Sequence, residues 1–246
     1  MPLSRQKSHI RTLDLQSFER FVIRYPSCGD LPSVFEVAWL LWDTFDVPAS
    51  DETVELFGDG VATGYRVEYL PTRQFRFTTY GGGGGTVTSS NALATSGDRH
   101  FCLVRCQFDG AGFGLRIILN ETAADALGGG MLAPLANEDR VLCAEDLAGT
   151  AALVSLQPAA CALGFGYSLD EGATIYSVVR RAQRLLEPAA ALSYVDFARY
   201  RPLDSAVPQG DWGDDVTGAR VESLVTSTEH RPYWRRSDRL TDWSAA

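Results

Sequence analysis

Lysine is all but missing from these 246 residues: Lys7 is the only one, and the other 21 basic residues are arginines. Schiff-base catalysis, pyridoxal phosphate anchoring, a P-loop lysine and a kinase-type lysine all need an internal Lys, so those chemistries are excluded unless Lys7 itself folds back into a site. A codon bias explains the arginine preference without any function. Histidine is nearly as scarce, with only His9, His100 and His230. There is no GxSxG elbow, no HExxH, no HxE with PCxxC and no CxxC pair, so hydrolase and zinc signatures are absent. The longest apolar runs, such as 37–42, fall far short of a membrane span, and the first fifteen residues lack the apolar stretch of a signal peptide. The expectation is a cytoplasmic chain with no membrane partner.

Cysteine is sparse and odd in number: Cys28, Cys102, Cys106, Cys143 and Cys161. Their spacing matches no disulfide framework, which suggests reduced, mostly buried thiols. His100, Cys102 and Cys106 share one strand parity, but neighbours along a strand rarely converge on a tetrahedral ion, so no metal and no cofactor is expected. Net charge is −9, from 22 basic and 31 acidic residues. That sign disfavours nucleic acid and anionic membranes and is compatible with a basic protein partner.

What the chain does contain is alternation. Residues 100–120 read as a β-hairpin with strands near 101–108 and 113–119 and the turn Asp109-Gly110-Ala111-Gly112. Cys102, Val104, Cys106 and Phe108 share one face with Phe113, Leu115, Ile117 and Leu119. Arg105 and Arg116 share the other. They sit diagonally if Asp109-Gly110 is the turn and face each other if Gly110-Ala111 is; either way they repel unless a carboxylate or an anion lies between them.

A second hairpin is expected at 64–70 and 74–80, joined across Pro71-Thr72-Arg73. It sets Tyr65, Val67 and Tyr69 opposite Thr79, Phe77 and Phe75, and Glu68 opposite Arg76 on the reverse face. Further strands are expected at Val54–Phe57, 151–157 and 161–169, the last two separated by Pro158. Ser33 and Glu36 have capping-box spacing, and Phe35, Ala38, Trp39, Trp42 and Phe45 fall on one side of a helical wheel, with Glu36 and Asp43 together on the other. This predicts a helix over about 33–45. A second helix, over about 173–187, carries the stripe Ile175, Val178, Val179, Ala182, Leu185 and Leu186, and a short one is expected at 121–127.

These elements predict an α+β fold: an antiparallel sheet of successive hairpins packed against the two main helices. One domain is expected, with a loose arm at 1–12 and an irregular tail at about 205–246. The five glycines 81–85 open a linker, 81–95, that permits a subdivision.

Two functional readings follow. In the first, a non-enzymatic cytosolic module binds a basic or toxic protein, as inhibitors or immunity-type proteins do. Its acidic surface would be Asp43, Asp46, Asp51, Glu52, Glu55 and Asp59. In the second, a small enzyme or sensor clamps an anionic metabolite between Arg105 and Arg116, with backbone N–H groups of Gly82 and Gly83 closing over it. The absence of every strong catalytic signature favours the first.

Overall fold

The computed structural model describes residues 21–23, 34–96, 101–109, 114–120, 122–135, 138–144, 153, 155–165, 191–197 and 221–223. The protein is a β-sandwich. Its strands are β1 (Phe21–Ile23), β2 (Val34–Asp43), β3 (Glu52–Phe57), β4 (Tyr65–Tyr69), β5 (Phe75–Thr79), β6 (Thr86–Thr88), β7 (Phe101–Asp109), β8 (Gly114–Leu119), β9 (Thr122–Ala126), β10 (Arg140–Leu142), β11 (Leu156–Phe165), β12 (Ala191–Asp196) and β13 (Val221–Ser223). They form two antiparallel sheets, ordered β13-β1-β10-β3-β4-β5-β6 and β12-β11-β2-β7-β8-β9. One apolar core lies between them. The first sheet contributes Val54, Phe57, Tyr65, Val67, Phe75 and Phe77; the second contributes Phe35, Val37, Trp39, Leu41, Cys102, Val104, Leu115 and Ile117. Face-to-face packing of this kind buries alternate residues of every strand.

The α+β expectation is therefore corrected: no α-helix occurs among the described residues. The stretch expected as a helix over 33–45 is β2, the strand between β11 and β7. Its inward side carries Phe35, Val37, Trp39 and Leu41, while outward-facing Ala38 and Leu40 are also buried. A strand covered on both faces shows a continuous apolar run, and such a run mimics a buried helix. Glu36 and Asp43 consequently lie on opposite faces. The short helix expected at 121–127 is β9, paired with β8; alanine is the best helix former, but intrinsic propensity is a weak determinant that hairpin pairing overrides. The stretch 173–187 lies outside the described residues, as do the arm 1–12, Cys28 and His100.

Other strands fall where the alternation places them. β4 and β5 have the expected register, Tyr65↔Thr79, Val67↔Phe77, Tyr69↔Phe75 and Glu68↔Arg76. Pro158 does not separate two strands; it sits at an irregularity within the single strand β11, where a missing N–H is tolerated. Within the stretch expected as an irregular tail, β13 pairs with β1. The glycine run forms a turn between β5 and β6, closed by the Gly84 N–H on the Gly81 carbonyl (2.8 Å), and β6 continues the first sheet.

Candidate functional site

β7 and β8 pair as Arg105↔Ile118 and Gln107↔Arg116, leaving a four-residue connection and neither of the two expected registers. The shift of two residues preserves the apolar parity. Both arginines point outward from the six-stranded sheet, and both meet carboxylates of this chain. Arg105 forks onto Glu36 at 2.7 and 3.2 Å, with Gln107 donating to the same carboxylate; Arg116 meets Asp125 at 2.6 and 3.1 Å. Gly82 and Gly83 are elsewhere, in the turn at the end of the seven-stranded sheet, and Gly82 lies against Gly130 and Met131.

The six candidate acids also separate. Asp43, Glu52 and Glu55 are buried; Asp46, Asp51 and Asp59 are exposed. Asp43 holds Arg73 through both carboxylate oxygens (2.8 and 2.9 Å), and Arg73 also donates to the carbonyls of Leu93 and Asp46. Glu52 accepts from the Ser155 N–H and hydroxyl. Glu55 is turned into the core by the irregularity between Thr53 and Glu55, where it accepts from Trp39, Tyr65 and Arg140. Asp46 and Asp51 precede β3 and Asp59 follows it, so the exposed members are divided by a strand length, roughly 20 Å.

Tyr69 is fully buried beside Asp43 and Arg73, and its hydroxyl has no hydrogen-bond partner. Burial, opposed by Arg73, pushes its phenol up. A buried hydroxyl without a partner costs stability, so Tyr69→Phe should raise the unfolding free energy by about 1 kcal/mol, read by denaturant titration. A loss of stability would mean that the hydroxyl is satisfied in solution.

The accessible chemistry gathers at one end of the sandwich. The loop 58–64 joins β3 to β4, the glycine turn joins β5 to β6, and residues 127–139 run from β9 to β10. These three segments interlock. The Gly64 N–H donates to the Leu132 carbonyl (2.8 Å), the Leu132 N–H to Tyr80 (2.9 Å), and the Tyr80 N–H to Gly64 (2.9 Å). Glu138 ties the set by accepting from the Thr63 hydroxyl and the Leu135 N–H.

Asp59 organises the first loop, its Oδ1 accepting from the backbone N–H groups of Val61, Ala62 and Thr63 at 2.7–2.9 Å. These bonds, led by the one from Val61, hold its carboxyl at about 2, below the usual 3.8. With the folded value depressed, the stabilisation is fully present above pH 3.8 and fades as pH falls towards 2. The Val61–Thr63 amide resonances should therefore titrate near pH 2, and Asp59→Asn should abolish that titration.

Just below these loops lies the outward face of β4, β5 and β6. Arg66 and Glu68 project from β4, Arg76 and Thr78 from β5, Thr86 from β6, with Tyr80 following β5 on the same parity. Arg76 bonds Glu68 (2.7 Å) and Asp51 (2.6 Å). Glu68, opposed by partial burial and helped by Asp51, holds that guanidinium above the usual arginine range. Tyr80 is half-buried among these groups; burial raises its phenol, Arg66 and Arg76 lower it and Glu68 raises it. The patch combines one aromatic ring, planar charged groups and hydroxyls: Thr86 is exposed, Arg66, Arg76, Thr78 and Tyr80 are half-buried, and Glu68 is buried. Tyr80 was not singled out by sequence, although the alternation Gln74, Arg76, Thr78, Tyr80 carried the signal. Among the described residues no group of three or more metal-binding side chains is assembled, and no helix is long and apolar enough to cross a membrane.

No protein-family model matches the sequence, and no curated protein does. Solved structures are similar in fold. A putative carbohydrate binding protein from Bacteroides ovatus superposes with a TM-score of 0.61, covering 94% of this chain and 61% of its own length at 11% identity. Domains LG4-5 of the mouse laminin alpha1 chain give 0.46 over 71% of this chain and 49% of theirs, at 11% identity. The CBM40 of the Ruminococcus gnavus IT-sialidase, bound to alpha2,6 sialyllactose, gives 0.43 over 61% and 87%, at 9% identity. The chain thus spans less than two thirds of the length of the first two. At these identities the likeness establishes the β-sandwich fold and nothing finer. None of these three structures is described as an inhibitor or immunity protein, so the likeness lends that reading no support.

Proposed function

We propose that this chain is a non-catalytic saccharide-binding module whose ligand rests on the outward face of β4–β6, against Tyr80. The observation that carries this reading is the fold likeness, over 94% of the chain, to the Bacteroides ovatus protein described as a putative carbohydrate binder. The chemistry of the face supports it. A sugar ring has an apolar C–H side, which an aromatic ring covers, and a rim of hydroxyls that both donate and accept. Arg66 and Arg76 supply donors, Glu68 and Asp51 acceptors, Thr78 and Thr86 both. A few placed polar groups beside an apolar surface give orientation and specificity. The six-stranded sheet offers less, because three of its outward polar groups, Glu36, Arg105 and Gln107, are buried, whereas Glu68 is the one buried among the described outward groups of β4–β6. Cys102 and Cys106 are buried free thiols, the state a reducing compartment maintains, which supports a cytoplasmic setting.

Calorimetry against a panel of neutral and acidic oligosaccharides tests the proposal. At least one should bind in the micromolar to millimolar range, and Tyr80→Ala should weaken it about tenfold or more. Arg116→Ala, on the other sheet, should leave affinity unchanged. Absence of binding by the folded protein to every member of the panel sinks the reading.

A further inference from the structure

Five large apolar side chains are exposed among the described residues, and four of them stand in the loops that crown the proposed site. Leu127 is 90% exposed, Val61 81%, Leu135 57% and Leu132 52%; only Val47 lies at the other end. Leu132 is tied directly to the site: its N–H bonds the Tyr80 carbonyl, and its Cγ would stand 2.7 Å from a Cβ placed on Gly81. Ala62, next to Val61, brings its carbonyl to the same point. Leu135 is drawn in through Glu138 and Thr63. Leu127 precedes the glycines 128–130, of which Gly130 lies against Gly82.

Three leucines and a valine exposed in interlocked loops make an apolar patch of the size that is often functional. At roughly 100 Å² each, four such side chains offer about half of the 800 Å² or so that each side of a standard protein interface buries. They are too few for a stable protein partner and enough for one alkyl chain. They also border a polar face at which we propose a sugar rests. We infer that the ligand is an amphiphilic saccharide: a glycoside whose sugar lies on the Tyr80 face and whose apolar aglycone is covered by Val61, Leu127, Leu132 and Leu135. This rests on the saccharide reading above and narrows its ligand class. The sugar supplies orientation through hydrogen bonds, and the aglycone supplies affinity by leaving water.

The test compares methyl and n-octyl glycosides of glucose, galactose, mannose and N-acetylglucosamine by calorimetry, with the octyl compounds held below their micelle concentrations. For a sugar that binds, the octyl glycoside should bind at least tenfold more tightly than the methyl glycoside. Leu127→Ser with Leu135→Ser should remove most of that advantage while leaving the methyl glycoside's affinity unchanged, which also reports that the variant is folded. Equal affinity for both glycosides overturns this inference and leaves the saccharide reading standing. Binding of neither, with no oligosaccharide bound, overturns both. Octyl binding that ignores the sugar and survives Tyr80→Ala, or a leucine-dependent dimer seen by sedimentation, also overturns it.

Discussion

Arg140→Met is expected to destabilise the protein by about 3–5 kcal/mol, the cost of leaving a buried carboxylate without its counter-charge. Arg140 and Glu55 are both fully buried in the core between the sheets. The Arg140 Nε–H donates to Glu55 Oε1 at 2.5 Å, a second N–H of its guanidinium reaches Ser193 Oγ on β12, and a third lies 3.8 Å from Cys161 Sγ on β11. Glu55 in turn accepts from the Tyr65 hydroxyl at 2.6 Å and from Trp39 Nε1 on β2 at 2.5 Å. Burial opposes the charge on Arg140, but Glu55, with Cys161 and Tyr65, more than offsets it and holds the guanidinium well above the usual arginine range. The guanidinium therefore stays charged throughout the accessible pH range.

This network joins β3, β4 and β10 of one sheet to β2, β11 and β12 of the other, so it specifies how one sheet seats on the other. A loss of 3–5 kcal/mol is a large share of the 5–15 kcal/mol that holds a typical domain together. Glu55→Leu alone should cost a similar amount, through the stranded guanidinium. The double variant should recover part of the loss, because no uncompensated charge remains, although Trp39, Tyr65 and Ser193 still lose partners. Urea denaturation of the two single variants and the double variant checks this. Strict additivity would mean that the pair contributes no coupling.

How legible this was depended on whether a local pattern had one physical explanation. The β4–β5 hairpin was legible because both faces agree: aromatic and β-branched pairs inside, Glu68 opposite Arg76 outside. β2 was not, because its two faces are both buried and the alternation that marks a strand vanishes. Glu55 looked like one acid among several along residues 43–59. It is inward because Val54 bulges out of the β3–β4 register, and nothing in the local sequence announces a bulge there. The arginines of β7 and β8 were correctly placed on one face, yet their carboxylates were not named. Glu36 lies 69 residues from Arg105 and had been assigned to a helix, while Asp125 sits on a strand whose alanines resemble one. The candidate site was legible only in pieces. Gly82, Gly83 and Asp59 belong to its loops, but it takes tertiary structure to bring them to Tyr80 and Leu132.

Gly64→Ala should be the most damaging single change at that site, costing about 2–4 kcal/mol and abolishing ligand binding. Gly64 has φ +78°, where an L side chain is strained, and a Cβ there would stand 1.6 Å from the Phe57 carbonyl oxygen. That oxygen belongs to the last residue of β3, which pairs with Tyr65 and Arg140. Relief of the clash must therefore move either the end of β3, an interior strand, or the 58–64 loop. The loop is the weaker element, and moving it breaks the bonds from Gly64 to Leu132 and from Tyr80 to Gly64. Gly83→Ala provides the contrast: its φ is +88°, but a Cβ would meet nothing within 4 Å, so only backbone strain of about 1–2 kcal/mol applies. Thermal denaturation should thus separate the two variants, while hydrogen exchange on Gly64→Ala shows fast amides at 59–64, 80 and 132 with core strands still protected. Equal stability of the two variants would mean that the loop yields without cost, and the interlocked end of the sandwich would not be the rigid platform that saccharide binding requires.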